Sequence, residues 1–408
     1  MATLAYAYKG RDSAGKIVKG RLDGASESVV AGRLRSMGVS PISIAESAEG
    51  TGLSRELNIP GFSKGVGLKD LAIMSRQLAT MIGSGLSLLR ALTILSEQTE
   101  SKPLSKILIQ VTRDIESGTS FSDALYKHSV EFPPIMINLV RAGESGGFLD
   151  DALETIAKNF EGEAKLRGTI KSAMTYPVIV LVMAGVAVVA MLLFIVPVFA
   201  KLFSQLGGQL PAPTEFLVFL SGVMVYAAPI GIVAAIIFSV WWRKNKNTER
   251  VRKVVDPLKL RLPVFGNLFK KIAIARFTRN FSAMMGAGVP ILQGLNIVGE
   301  TSGNYVMEVA LKKVSDSVRQ GKSIAAPLAK ESVFPAMVTQ MISVGEDSGS
   351  LETMLSKIAD FYDDEVQSTT EQLTALIEPL MIAFLGVVVG GMIVCLYLPI
   401  FNIFTLIK

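Results

Sequence analysis

The sequence predicts a mainly α-helical membrane protein. Its parts are two homologous cytoplasmic helical bundles of about six helices each, three transmembrane helices and a small N-terminal ββαβ module. Three observations carry this. Half the residues are hydrophobic and only 19% are charged, at a mean hydropathy of +0.44, which is too apolar for an ordinary soluble domain. Three segments lack any charge: 172–200, 216–242 and 379–407. Each exceeds the about 20 apolar residues that cross a hydrocarbon core. Finally, the chain repeats itself.

The repeat is read by alignment of the chain on itself. Arg76, Met81, Gly83, Gly85 and Leu89 recur as Arg279, Met284, Gly286, Gly288 and Leu292, an offset of 203 that Gly118 and Gly321 keep. After a one-residue slip the offset is 202: Phe132 meets Phe334, Pro177 meets Pro379, Pro197 meets Pro399 and Phe199 meets Phe401. Each copy is therefore a helical half followed by one span, and the middle span joins the copies.

The domain boundaries follow in order. Residues 1–45 form the N-terminal α+β module, where two alternating stretches flank the turn 11–15. Val29, Val30, Leu34 and Met37 have helical spacing behind an N-cap candidate, Ser26, and Gly38 stops that helix. Residues 46–66 mix Gly, Ser, Pro and charge without period and read as a linker. The first helical repeat is 67–172, the first transmembrane helix 174–200, a short periplasmic loop 201–215, and the second transmembrane helix 216–242. A basic cytoplasmic segment, 243–271, leads to the second repeat, 272–377, and the third transmembrane helix, 379–404. Within a repeat the helices are expected near 103–117, 121–127 and 135–142, with the last starting near Phe148 and running on into the span. Pro177 and Pro197, with Pro379 and Pro399, bracket matching spans as candidate kinks. Gly386 and Gly390 form a small-xxx-small pair suited to close helix packing.

Orientation follows from charge. The segment 243–271 holds ten Lys/Arg, among them Arg243, Lys244, Lys246, Arg250, Arg252 and Lys253, against Glu249 and Asp256. That places it, and the N-terminus, in the cytoplasm, with the C-terminus outside. The start has no apolar stretch of the kind a signal peptide needs.

Catalytic chemistry finds little support. One cysteine (Cys395) and one histidine (His128) exclude a disulfide within the chain and leave no Cys/His metal cluster or Ser/His/Asp set. Gly321-Lys322-Ser323 resembles the tail of a phosphate-binding loop, but the glycine needed five residues earlier is Asp316. No charged group lies inside a span, which disfavours a transporter. No cofactor and no nucleic-acid partner are predicted.

What remains is a repeated joint. Gly143, Glu144 and Gly147 recur as Gly345, Glu346 and Gly349. Gly143 and Gly345 suit a helix C-terminus in the left-handed region, and Ser145 or Ser348 suits the next N-cap. Carboxylates on the loop repel a phosphate. A weak metal candidate is Glu144 with Asp150 and Asp151, although the spacing fits no EF-hand. The favoured reading is a structural turn that also presents Glu144 and Glu346 to a partner. Arg76, Gly85, Arg279 and Gly288 mark a second repeated helix–turn.

These residues carry a resemblance. Tyr6, Tyr8, Lys9 and Gly10 open the module. Arg76-Gln77-Leu78 with Met81 and Gly85 recurs as Arg279-Asn280-Phe281 with Met284 and Gly288. Phe132-Pro133, Gly143-Glu144, Gly147 and Leu149 recur as Phe334-Pro335, Gly345-Glu346, Gly349 and Leu351. The pattern, over nearly the whole chain, resembles the type II secretion F family, the bacterial inner-membrane platform proteins of type IV pilus assembly and type II secretion. The resemblance implies a scaffold rather than an enzyme. It would couple a cytoplasmic hexameric ATPase to extraction of pilins or pseudopilins, beside other inner-membrane assembly proteins, as a homo-oligomer. A retraction ATPase joins these partners in pilus systems. Pilus assembly is the expectation, the secretion-system F protein the alternative, and a membrane transporter a remoter one. The motifs are common to both branches.

Overall fold

The computed structural model describes residues 4–11, 17–24, 27–46, 65–205 and 210–406. It divides into two compact units, Met1–Lys64 and Gly65–Lys408. In the first, strand β1 (Leu4–Arg11) lies between β2 (Ile17–Gly24) and β3 (Ser40–Glu46), antiparallel to both. Helix α1 (Glu27–Ser36) ends before Gly38 at φ +76°. Its Val30 and Leu34 bury with Tyr6 and Val39. Val29 and Met37, grouped with them by spacing, are exposed instead. A core of four residues has room for one narrow stripe of the helix. The turn 12–16, Ser26 and linker residues 47–64 lie outside the described residues.

The second unit is helical. The first copy contains α2 (Leu68–Gly83), α3 (Leu88–Gln98), α4 (Lys102–Glu116), α5 (Phe121–Tyr126), α6 (Pro134–Gly146) and α7 (Leu149–Ala190). A π-helical turn (Met191–Ile195) continues α7 into α8 (Val196–Gln205). Next come α9 (Ala212–Asn245) and α10 (Glu249–Arg261). The second copy contains α11 (Phe265–Gly286), α12 (Ile291–Thr301), α13 (Tyr305–Arg319), α14 (Ala325–Leu328), α15 (Ala336–Ser348) and α16 (Leu351–Leu406). The copies share one apolar core, with Leu78, Leu92, Phe121 and Phe132 from the first and Phe277, Phe281 and Met284 from the second. Burying each such side chain is worth about 1.5–3 kcal/mol.

Three helices are long and apolar enough to cross a membrane. The chain does not break between bundle and span: α7 and α16 run on from one to the other. Two local features differ from the sequence expectation. Helix α6 does not stop near Ala142 but passes through Gly143 and Glu144 to Gly146. The basic segment 243–271 is not a plain connector, since it folds as α10 and the start of α11. Gly386 and Gly390 face open space within this chain, so the close packing expected there is not made to another of its spans.

The repeated prolines shape the spans. Pro197 has no N–H to give the carbonyl of Leu193, and the helix responds with the π turn just before it. The Ser221 hydroxyl of α9 donates to the Leu192 carbonyl at 2.5 Å. In the other copy Pro399 deprives the Cys395 carbonyl of its donor, and the Thr214 hydroxyl of α9 supplies one at 2.5 Å. Thr214 and Ser221 lie seven residues apart, on one face of α9. A carbonyl left unpaired in hydrocarbon is costly, so α9 serves as a hydroxyl rail for both repeated spans. Thr214→Val is expected to cost about 0.5–2 kcal/mol in detergent thermal unfolding. In a Pro399→Ala background, where position 399 regains an N–H to donate to the Cys395 carbonyl, the same change should cost almost nothing. Equal costs in both backgrounds would contradict this account.

Candidate functional site

The repeated joint is where α6 meets α7 and where α15 meets α16. Gly147 and Gly349, not Gly143 and Gly345, hold the left-handed conformation, at φ +75° and +69°. The earlier glycines sit inside helices and are needed for a close approach. A Cβ on Gly143 would lie 2.7 Å from the Ala152 Cβ and 3.0 Å from the Leu149 Cα. On Gly345 it would lie 3.0 Å from the Leu351 Cα and from the Met354 Cβ. Ser145 and Ser348 do not cap the next helix, whose cap positions are Phe148 and, in the second copy, Ser350.

The repeated glutamate has its partners 21 to 23 residues upstream. Glu144 accepts the backbone N–H of Phe121 at 2.6 Å and of Ser122 at 2.9 Å. Glu346 accepts Ile324 N–H at 2.8 Å and Ala325 N–H at 3.2 Å. These donors are equivalent under the repeat, and each pair opens a short helix, α5 or α14. Both carboxylates thus cap a helix N-terminus with charge-assisted hydrogen bonds. This corrects the expectation that they are turned outward to a partner. It also removes Glu144 from the metal candidate with Asp150 and Asp151. Among the described residues no group of three potential ligands comes together. The sequence signal was available: once α6 continues past Ala142, Glu144 falls on the buried face of Ile137 and Val140. Gly321 of the loop-like Gly-Lys-Ser, at φ +80°, follows α13, and Ser323 Oγ accepts Ala326 N–H at 3.2 Å. That is a helix stop and a new cap.

The repeated arginines tie the first helix of each copy to the last. Arg76 on α2 bonds Glu154 at 2.5 Å and Glu161 at 2.7 Å, both on α7. Arg279 on α11 bonds Asp363 on α16, the repeat equivalent of Glu161. Hydrogen bonds from Arg76 hold the Glu154 and Glu161 carboxyls below the usual range. Burial pushes Asp363 up, against the pull of Arg279. The difference arises because the first copy packs on Arg279. A Cβ on Gly162 of α7 would come within 2.9 Å of its Nε. Gly85 and Gly288 take φ +86° and +67° and turn the chain after α2 and α11.

The juxtamembrane cations divide. Arg252 pairs with Glu308 of α13 at 2.8 Å, and Lys253 pairs with Glu249 at 2.7 Å beside the Tyr305 ring. Asp256, 3% exposed, accepts Tyr305 N–H at 3.0 Å and Lys259 Nζ at 2.9 Å. This anchor, missed in the sequence, clamps α10 on the start of α13. Lys244, Lys246 and Arg250 remain at least partly exposed.

The same two-copy division appears in comparison with known proteins. The family model described as type II secretion system protein F matches twice, at residues 74–197 and 277–399, and its N-terminal domain model matches residues 1–45. The chain belongs to the type II secretion system protein F family. The two matches start 203 residues apart and end 202 apart, as the internal repeat does. Among relatives, a type IV pilus assembly protein PilC of Thermus thermophilus is 46% identical over 98% of both chains. One from Myxococcus xanthus is 40% identical over 98% of this chain and 95% of its own. A type II secretion system protein F of Vibrio cholerae is 31% identical over 97% of both.

In this member of the F family, Gly143→Ala should destabilise the first bundle by about 1–3 kcal/mol through overpacking, read as a lower unfolding midpoint. Glu144→Ala should cost about 1–3 kcal/mol by orphaning two N–H groups, while Ser145→Ala, beside it and exposed, should stay within about 0.5 kcal/mol. The depressed Glu154 and Glu161 stabilise the fold above the unfolded glutamate value, about 4.3. That contribution is lost as pH falls through their lower folded values. Arg76→Met should therefore be less stable than the parent at pH 7 and approach it below about pH 4. A constant difference across pH would refute the ion-pair assignment.

Proposed function

We propose that this chain is the inner-membrane platform of a type IV pilus assembly machine, transmitting motion from a cytoplasmic hexameric ATPase to the extraction of pilin subunits. The observation that carries the reading is the unbroken passage from bundle to span. Helix α7 has 42 residues and α16 has 56, or roughly 60 and 80 Å at helical rise. Each bundle is tied along such a rod by its arginine and its joint glycine. A displacement imposed on a bundle is therefore delivered into the bilayer without passing a flexible hinge.

The basic stretch that begins at Arg243 supports a cytoplasmic location for the bundles and N-terminus, with the C-terminus outside. Pilus assembly is favoured over secretion because relatives named for pilus assembly reach 46%, 40% and 36% identity. Those named for type II secretion stand at 31%, 32% and 30%. The reading leaves hydrolysis to the ATPase and assigns this chain no catalysis. Partner contacts would use surfaces other than the Glu144 and Glu346 carboxylates, which are engaged within the fold.

A flexible Gly-Gly-Ser insertion after Arg167, between bundle and span, tests the coupling. The protein should accumulate in the membrane at parental levels, and surface filaments should be lost. A Gly168→Ala control, at an exposed helix position, should keep them. Normal filaments from the insertion variant would remove the rigid-arm reading. Normal filaments in a deletion strain would remove the platform role.

A further inference from the structure

The two copies meet along their equivalent helices α7 and α16, and through one further contact that is head to tail. Helices α11 and α12 of the second copy lie on α6 and α7 of the first. Asn159 Nδ2 donates to Asn280 Oδ1 at 2.9 Å, Gln293 Nε2 reaches Asn138 Oδ1 at 3.4 Å, and Arg276 pairs with Glu163 at 2.6 Å. Ala142, Ser145, Val289 and Gln293 line one cleft at this junction, and Val289 is only 6% exposed.

A pseudo-two-fold would make the reciprocal contact, α2 and α3 of the first copy on α15 and α16 of the second. It is not made. No hydrogen bond or ion pair among the described residues joins those elements. Under the repeat offsets, Ile73 replaces Arg276, Leu86 replaces Val289, Val344 replaces Ala142 and Phe361 replaces Asn159. These four are exposed, at 48%, 37%, 57% and 46%. Arg276 and Asn159, polar at the internal junction, and Val289 and Ala142, buried or half-buried there, thus have apolar, open counterparts on the two free faces. Charge agrees. Gln293 and Ser145 become Arg90 and Asp347, both exposed and without an ion pair among the described residues. Phe361 lies 18 residues before Pro379, where the charge-free stretch begins. At helical rise that is roughly 27 Å, so lipid does not cover it.

We propose that the α2–α3 face carrying Ile73, Leu86 and Arg90 docks on the α15–α16 face carrying Val344, Asp347 and Phe361 of a second copy of this chain. The contact between chains repeats the one within the chain. It is heterologous, so each molecule keeps one face of each kind and association propagates. The spans of the two copies follow their bundles in the same chain direction, so repeating the internal operation keeps successive spans side by side in one bilayer. The product is a ring or arc of bundles in the membrane plane. Neither face depends on which filament is built.

The test uses the full chain in membranes with Cys395→Ser as background. Leu86→Cys and Val344→Cys together, treated with a short bismaleimide, should give a ladder of dimers, trimers and larger species. Either substitution alone should give monomers, and the two single variants coexpressed should give dimers and nothing larger. Arg90→Glu added to the double-cysteine chain should reduce the ladder at least threefold, and adding Asp347→Arg to that should restore it. A double-cysteine chain that stays monomeric, or links within itself, would overturn the proposal; in the first case another protein or the N-terminal module covers the faces. Dimers from a single-cysteine variant alone would also overturn it, because they require like faces to meet.

Discussion

A helix that enters lipid must have every backbone group paired within the protein, because no water is present to pair a freed one. Much else in the second unit adjusts to that constraint. Helices α7 and α16 extend the same unbroken geometry back through the bundles, and the other helices are fitted to them. The joint glycines, Gly143 and Gly345, exist because the preceding helix must come within contact of the first turn of the rod. The arginines reach the rod from the opposite side. The glutamate caps hold the short helices α5 and α14 against the helices that precede the rods, α6 and α15.

Duplication preserved this design while the two copies diverged around it. The cap glutamates, the turn glycines and the arginine ties survive in both. What changed is the setting. Arg76 faces solvent in part and holds two glutamates, whereas Arg279 holds one aspartate beneath the packed backbone of Gly162. One motif therefore has two electrostatic characters, with carboxyls depressed in the first copy and Asp363 raised by burial in the second. The middle span and α10 belong to neither copy: α9 is bonded to both repeated spans, and α10 is clamped on the second bundle.

The architecture was legible because the repeat is long and its period unambiguous. Arg76 with Arg279 and Phe132 with Phe334 locate the copies to the residue, and the charge-free runs locate the spans. The joint was legible only as a joint. Glu144 looked like a surface group because its partners, Phe121 and Ser122, are remote in sequence and contribute backbone, which leaves no trace in side-chain pattern. Gly143 reads as a turn residue because glycine has two uses, and sequence does not distinguish a positive φ from a close approach. Asp256 was hidden among cations, where an acid reads as charge balance rather than as an anchor. The head-to-tail relation of the copies was beyond reach, since a repeat specifies two like units and not the operation between them.

The hydroxyl pairs of α9 bear on how the spans can move. Thr214 holds the carbonyl that Pro399 frees, and Ser221 holds one beside the bulge at Pro197. Sliding α9 along both neighbours, as a piston would, strands both carbonyls in hydrocarbon at once. Tilting or swivelling the three spans together strands neither. The three spans are thus joined as a single block, in which sliding is costlier than a common tilt.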